Sequence, residues 1–213
     1  MSDVQPSVPL IAYLFADRLL PPRTGRSHGI HVPCTNEHVQ LESLAILLFS
    51  AAFWSLREQG LIALHVVEHP SARWPVHHSD VSLERLDGAT RPGLEGAVME
   101  NLGGEATLCD VVYGWSSQHT NNPWHDVIQE VVDEALIAGY LHSASENTGV
   151  LGRLLGHGTE LESDCSKIAD VEEDFSRFHE LWRDFRANES PLCEHLTSEC
   201  KRALLTCTER WYP

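Results

Sequence analysis

Histidine and cysteine side chains that are candidate metal ligands concentrate in two stretches of the chain. The first contains His28, His31, Cys34 and His38. The second contains His65, His69, His77, His78 and Asp80. Structural zinc sites usually pair two short ligand motifs across a longer span, and the chain contains no Cys-x-x-Cys. We interpret the first stretch as a His-rich surface loop in a chain with 13 histidines, and we predict no metal and no other cofactor.

The sequence offers no arrangement for nucleophilic catalysis. It contains no Gly-x-Ser-x-Gly motif and no cysteine in an activating sequence context. The glycine-rich run 149–158 lacks the Lys-Ser/Thr of a phosphate-binding loop. Cys193, Cys200 and Cys207 recur every seven residues, about 10 Å apart along a helix, so we assign them to core packing. These observations predict no catalytic residues and a protein that is not an enzyme.

Apolar side chains lie within the same glycine-rich run, between two polar stretches. Exposed apolar groups at a hairpin tip mark contacts with a partner or a membrane. The alternative is that these side chains fold back on the core. The candidate contact residues are Val150, Leu151, Arg153, Leu154 and Leu155.

The charge balance excludes one class of partner. The formal net charge is −16, and lysine occurs only at Lys167 and Lys201. Nucleic acids and anionic membranes both require a positive protein surface. We therefore predict no nucleic-acid partner.

The clearest structural element lies at residues 122–141. Asn122 is suited to the N-cap of a helix, Pro123 to its first turn, and Gly139 to the left-handed residue that ends it. The apolar stripe comprises Trp124, Val127, Ile128, Val131, Val132, Ala135 and Leu136. We expect the opposite face to expose His125, Asp126, Gln129, Glu130, Asp133 and Glu134. That face contains no Lys or Arg and would repel phosphate groups.

A second helix is predicted at residues 41–59, apolar on all sides, with Gly60 and a strand after it. Two helix–glycine–strand units indicate a duplicated winged-helix-like plan over residues 8–142. Residues 143–165 follow as a hairpin arm and residues 170–211 as a C-terminal αα-hairpin. The predicted fold is mainly α with small β-hairpins, in a single domain spanning residues 1–213.

The expected localisation is cytoplasmic. No basic residue precedes the apolar run 8–15, as a signal peptide would require, and the apolar run 44–54 is too short to span a bilayer. The six cysteines are then expected to be reduced thiols.

The order of these elements over residues 9–186 resembles the Golgi-phosphoprotein family, as a divergent bacterial-type member. Residues 45–62 resemble its central apolar helix, residues 127–141 its helix ending in Gly-Tyr-Leu, and residues 149–155 its membrane-contacting hairpin. The resemblance implies a mainly helical peripheral protein that binds a membrane surface or a phosphoinositide-like lipid and forms homo-oligomers through the hairpin.

The sequence departs from that family at the lipid pocket. The family uses a Trp ahead of the central helix and arginines on both helices. Here His125 and Ile128 stand near the expected arginine positions, and the central helix carries only Arg57. The resulting expectation is a non-enzymatic, peripheral binding protein that uses the 149–158 hairpin and is associated with a membrane. The alternative is a winged-helix regulator or protein–protein adaptor without lipid contact.

Overall fold

The structure, a computed structural model, describes residues 5–23, 29–69, 78–88, 91–119, 122–143 and 161–211. Its helices are α1 (Val8–Leu14), α2 (Ala16–Leu19), α3 (Leu41–Glu58), α4 (Gly93–Asn101), α5 (Leu108–Ser116), α6 (Pro123–Ala138), α7 (Cys165–Ala169), α8 (Glu172–Asn188) and α9 (Ser190–Trp211). Its strands are β1 (Gly29–His31), β2 (His38–Gln40), β3 (Ile62–His69), β4 (His78–Arg85), β5 (Glu105–Thr107), β6 (Leu141–Ser143) and β7 (Leu161–Ser163). The predicted fold class, mainly α with small β-hairpins, is confirmed.

Helix α3 forms the centre of the core. Every side chain from Leu47 to Leu56 on this helix is buried, including Ser50 and Ser55. Helices α1, α4, α6 and α9 pack around it. The sequence of α3 is apolar on all sides, which is the pattern expected of a helix that is surrounded by other elements.

The strands form three small antiparallel sheets. β3 pairs with β4 along its whole length, and β5 joins the other edge of β4. β1 pairs with β2, and β6 pairs with β7. The β1–β2 hairpin lies in a stretch that the sequence analysis interprets as a loop. Each of its strands has only 3 residues, which is too short for an alternating pattern to be recognised.

The helix–glycine–strand unit that the sequence predicts occurs twice. Gly60 follows α3 with φ +69°, and Gly139 follows α6 with φ +75°. A residue with a Cβ is strained at such angles, so glycine suits both helix ends. β3 follows the first glycine and β6 the second, and each strand has an antiparallel partner next along the described chain.

The C-terminal helices α8 and α9 run consecutively, with Glu189 between them. Glu189 accepts two hydrogen bonds from the guanidinium of Arg57, at 3.0 and 2.7 Å, which ties this junction to the end of α3. Trp54 of α3 packs against the rings of Phe178, Trp182 and Phe185 on α8. These contacts attach the helical pair to the central helix.

A disulfide joins Cys34 to Cys165 across a sequence separation of 131 residues. The expectation that all six cysteines are reduced is therefore wrong for this pair. Sequence spacing does not reveal the pairing, because the two thiols meet only when the β1–β2 turn packs beside the start of α7. Cys109, Cys193, Cys200 and Cys207 form no disulfide, as expected of reduced thiols.

Among the described helices, none is both long enough and apolar enough to cross a membrane.

Candidate functional site

An open cleft of about 670 Å³ lies beside the first half of α6, and we call it the α6 cleft. Its walls come from α1, β1 and the turn after it, α6, and the β6–β7 hairpin. The apolar and aromatic lining consists of Tyr13, Ile30, Pro33, Ile128, Val132, Leu141 and Leu161. The polar lining consists of His31, Asn122, His125, Asp126, Gln129 and Ser163. The volume falls within the range of small-molecule sites.

Local sequence signals fix the position of α6. The Asn122 side chain accepts a hydrogen bond from the Trp124 N–H at 3.0 Å, and Pro123 occupies the first turn, as predicted. The predicted stripe is buried except for Leu136, which is partly buried against the core. Burial of this stripe holds the helix in one rotation, and that rotation brings His125, Asp126 and Gln129 to the cleft.

Asp126 is the most unusual polar group of the cleft. Its side chain is only 5% exposed, and its Oδ2 atom has no hydrogen-bond partner in the part of the chain that the structure describes. The prediction that the polar face of α6 exposes both Asp126 and Glu134 is wrong, because both are buried. Ser7 at the start of α1 covers Glu134, whereas His125, Gln129 and Asp133 of the same face are exposed, as predicted.

The disulfide links two walls of the α6 cleft. Cys34 directly follows Pro33, and Cys165 lies two residues after Ser163, and both Pro33 and Ser163 line the cleft. Both half-cystines are exposed to solvent. The bond therefore holds the β1–β2 turn and the β6–β7 hairpin together at one side of the cleft.

The predicted contact residues Val150, Leu151, Arg153, Leu154 and Leu155 lie outside the described residues. The structure does place the two ends of their segment. Ser143 and Leu161 are paired across the β6–β7 hairpin, and Leu161 lines the cleft. The residues that flank the segment are thus paired beside the α6 cleft.

The His-rich stretches do not form a metal site among the described residues, where no group of three or more ligand-type side chains converges. Cys34 is bonded in the disulfide and cannot bind a metal. The rings of His31 and His38 pack edge to face, with their centroids 5.2 Å apart. His31 instead contributes to the wall of the α6 cleft. His28 and His77 are outside the described residues.

The free thiols are poorly suited to nucleophilic chemistry. Burial raises the pKa of Cys109 to about 11 and that of Cys200 to about 12, and it also raises the pKa of Cys193. A raised pKa lowers the fraction of thiolate, which is the reactive form. In the α6 cleft, burial raises the pKa of the Tyr13 phenol to about 12, so Tyr13 is a weak proton donor near neutral pH.

Comparison of the chain with models of known protein families, with curated proteins and with solved structures finds no match.

A second polar feature lies inside the core, outside the cleft. Glu134 accepts hydrogen bonds from the Ser7 hydroxyl at 2.8 Å and from the Ser7 N–H at 3.2 Å. The Val8 N–H donates to Glu95 at 3.4 Å. Burial raises the pKa of both carboxyl groups, and the charge of Glu95 raises the pKa of Glu134 further. Because neither carboxyl lines the cleft, we assign this pair to holding the start of α1.

Proposed function

We propose that the protein is a non-enzymatic, peripheral binding protein of the Golgi-phosphoprotein type. A ligand occupies the α6 cleft, and the apolar residues of the 149–158 segment contact a membrane. The cleft supports the binding part of this proposal, since it has the size of a ligand site and a lining that combines apolar and polar side chains. The upward pKa shifts of the described thiols count against an enzyme that uses a cysteine nucleophile.

The observation that carries the proposal is that the residues flanking the contact segment, Ser143 and Leu161, are paired and that Leu161 lines the cleft. Ser143 and Leu161 form the paired base of the segment, and an extended chain advances at most about 3.6 Å per residue. Each of residues 150–155 is therefore at most about 32 Å from Ser143 or Leu161. A membrane contact through these residues would bring the α6 cleft close to the bilayer surface.

The lining of the cleft also bears on the lipid. No Lys or Arg is among its described residues, and the position near which the resemblance expects an arginine is occupied by His125. A phosphorylated headgroup is held best by Arg and Lys. We therefore propose membrane contact through apolar side chains, without phosphoinositide recognition in the cleft.

Vesicle co-sedimentation tests this proposal. We expect the protein to sediment with phosphatidylcholine vesicles, and to do so equally when phosphatidylinositol 4-phosphate is included. A variant with Leu151, Leu154 and Leu155 changed to Ser should lose most of this binding, because the transfer of each leucine side chain into an apolar phase contributes about 2 kcal/mol.

The matched control changes three exposed leucines elsewhere, Leu86, Leu181 and Leu205, to Ser. It removes the same apolar groups and should leave sedimentation unchanged. A wild-type protein that stays in the supernatant with every vesicle would contradict membrane contact and favour the adaptor or winged-helix regulator. Light scattering of the same samples measures whether two or more copies associate through the segment.

A further inference from the structure

Two hollows meet beside α8, and we call them together the α8 groove. The first has a volume of about 490 Å³ and is lined by residues of α2 and α8. The second has a volume of about 560 Å³ and lies between α2, α3, α8 and α9. Leu19, Trp182 and Arg186 line both hollows, so the two are continuous. The described residues that line the groove are all different from those of the α6 cleft.

The first hollow is basic, although the chain as a whole has a formal net charge of −16. Its lining includes Arg18, His179, Arg183 and Arg186, and no Asp or Glu is among its described lining residues. The last three of these lie three or four residues apart on α8, so the helix brings them to one face. Cationic side chains that are grouped in this way create a local positive potential and raise the local concentration of anions.

Arg186 is the cation of this hollow that is available to a ligand. Arg18 forms an ion pair with Glu172, and the guanidinium of Arg183 lies 3.5 Å from the carboxylate of Asp184. Arg186 is exposed and forms no hydrogen bond or ion pair with any residue that the structure describes. Its planar guanidinium presents parallel N–H donors that match the two oxygens of a carboxylate.

The second hollow continues from Arg186 as an apolar surface. Leu20, Ile46 and Leu47 line it, together with the Trp182 ring and Leu19 that it shares with the first hollow. A hydrocarbon chain that lies on these side chains is removed from water, and each buried methylene group strengthens binding.

The other charges of the second hollow do not compete for the anion. Glu194 and Lys201 line it, both exposed, and their formal charges cancel. Glu194 also accepts a hydrogen bond from the Ser190 hydroxyl at 2.9 Å. The uncompensated positive charge therefore lies at Arg186, where the two hollows meet.

We propose that the α8 groove binds a single-chain alkyl carboxylate, with the carboxylate on Arg186 and the hydrocarbon tail along Leu20, Ile46 and Leu47. The acidic chain repels a ligand more strongly as its negative charge increases, so a carboxylate fits better than a phosphate monoester, which carries nearly two charges. The groove is separate from the α6 cleft and from the 149–158 segment. The inference is therefore independent of the proposed function.

Ligand-observed NMR titration of the full chain tests this with octanoate, 1-octanol and n-octylammonium, which share one alkyl tail and differ in the head group. We expect octanoate to bind about fivefold more tightly than 1-octanol, which is the effect of an exposed carboxylate–guanidinium pair with good geometry. n-Octylammonium should bind more weakly than 1-octanol, because Arg186 repels it. Butanoate has the same head group and a shorter tail, and it should bind at least about tenfold more weakly than octanoate.

Two variants locate the interaction. Arg186→Gln removes the charge and should bring the affinity for octanoate within about twofold of that for 1-octanol. Arg177→Gln makes the same change on the same helix, at an exposed residue outside the described lining of the groove, and should keep the preference. Thermal unfolding checks that both variants are folded, which we expect because both arginines are exposed.

Equal affinity of the wild type for octanoate and 1-octanol, or an unchanged preference in Arg186→Gln, would overturn the inference. Equal affinity for octanoate and butanoate would also overturn it, because the apolar hollow would then contribute nothing. If octanoate does not bind and light scattering shows an association that Arg186→Gln abolishes, the groove binds a second copy of the chain instead. Vesicle binding depends on Leu151, Leu154 and Leu155, so its result neither supports nor rejects the carboxylate site.

Discussion

The carboxyl groups of Glu95 and Glu134 place two acids in the core near the start of α1. Glu95 is 3% exposed and receives hydrogen bonds from Ser55 and Gln59 of the α3 end as well as from the Val8 N–H. Burial is the largest influence on its pKa, which lies above the ordinary value, although the hydrogen bonds and the Arg91 charge act in the opposite direction. The folded protein therefore binds a proton on this group more readily than the unfolded chain does.

The pH dependence of stability follows from this shift. The folded-state pKa of Glu95 is raised above the unfolded value of 4.5, so its contribution to stability is fully present below 4.5 and is lost as the pH rises through the folded pKa. Glu95→Gln removes the buried charge and relieves Glu134. We expect it to raise the free energy of unfolding at pH 7 by about 1 kcal/mol, and this gain should shrink as the pH falls toward 4.5.

Thermal unfolding between pH 4.5 and pH 8 measures the difference between Glu95→Gln and the wild type. Glu173→Gln, which removes an exposed charge from α8, is the control and should show little change at any pH. A destabilisation by Glu95→Gln of the same size at every pH would show that its hydrogen bonds, and not its charge, dominate.

At the residue scale, the sequence was least informative about buried acids. Asp126 and Glu134 lie between apolar positions of α6, and a hydropathy pattern assigns any carboxylate to solvent. The burial of Glu134 depends on Ser7 at the start of α1, and no periodicity within α6 records that neighbour. The N-cap Asn122 and the terminal Gly139 were predicted correctly, because their roles depend only on local backbone geometry.

Among the elements, the disulfide has the largest predicted effect on stability. Chain-entropy models assign about 5 kcal/mol to a loop of this length, and measured values are typically about 2–4 kcal/mol. We expect Cys34→Ser, or reduction of the wild type, to lower the free energy of unfolding by about 2–4 kcal/mol. Chemical denaturation with and without a thiol reductant measures it.

The control for this measurement is the double variant Cys34→Ser and Cys165→Ser, which should be insensitive to the reductant. Alkylation of the denatured, unreduced protein followed by mass spectrometry should label the four free cysteines. Labelling of all six would contradict the disulfide and restore the sequence-based expectation.

The longer elements were predicted well, whereas the short strands β1, β2 and β5 were missed. α6 begins and ends where its caps predict, and α3 is the apolar central helix that its composition indicates. β1, β2 and β5 have 3 residues each, and their existence depends on partners far along the chain or across a turn. The α6 cleft itself is lined by residues of α1, β1, α6, β6 and β7, so no single stretch of sequence predicts it.

At the scale of the whole molecule, charge and redox chemistry bear on where the protein works. The predicted localisation is cytoplasmic with membrane association, and it implies that the cysteines are reduced thiols. Disulfides persist in oxidising compartments and are rare in the cytosol, so the Cys34–Cys165 bond counts against that prediction. The excess of acidic residues, 31 against 15 basic ones, still argues against nucleic acid as a partner.

The same bond has a mechanical consequence when the chain is pulled from its two ends. The disulfide closes a loop over the 131 residues of separation between Cys34 and Cys165. A pulling force therefore passes through the bond and not through the part of the core that the loop contains. Optical-tweezers unfolding should therefore release a contour length shorter by about 450 Å under oxidising conditions than with a reductant, at about 3.5 Å per residue. Equal lengths in both conditions would mean that the loop is open. In the oxidised protein, helices α3 to α6 are shielded from tension, while α1 and α9 bear it first.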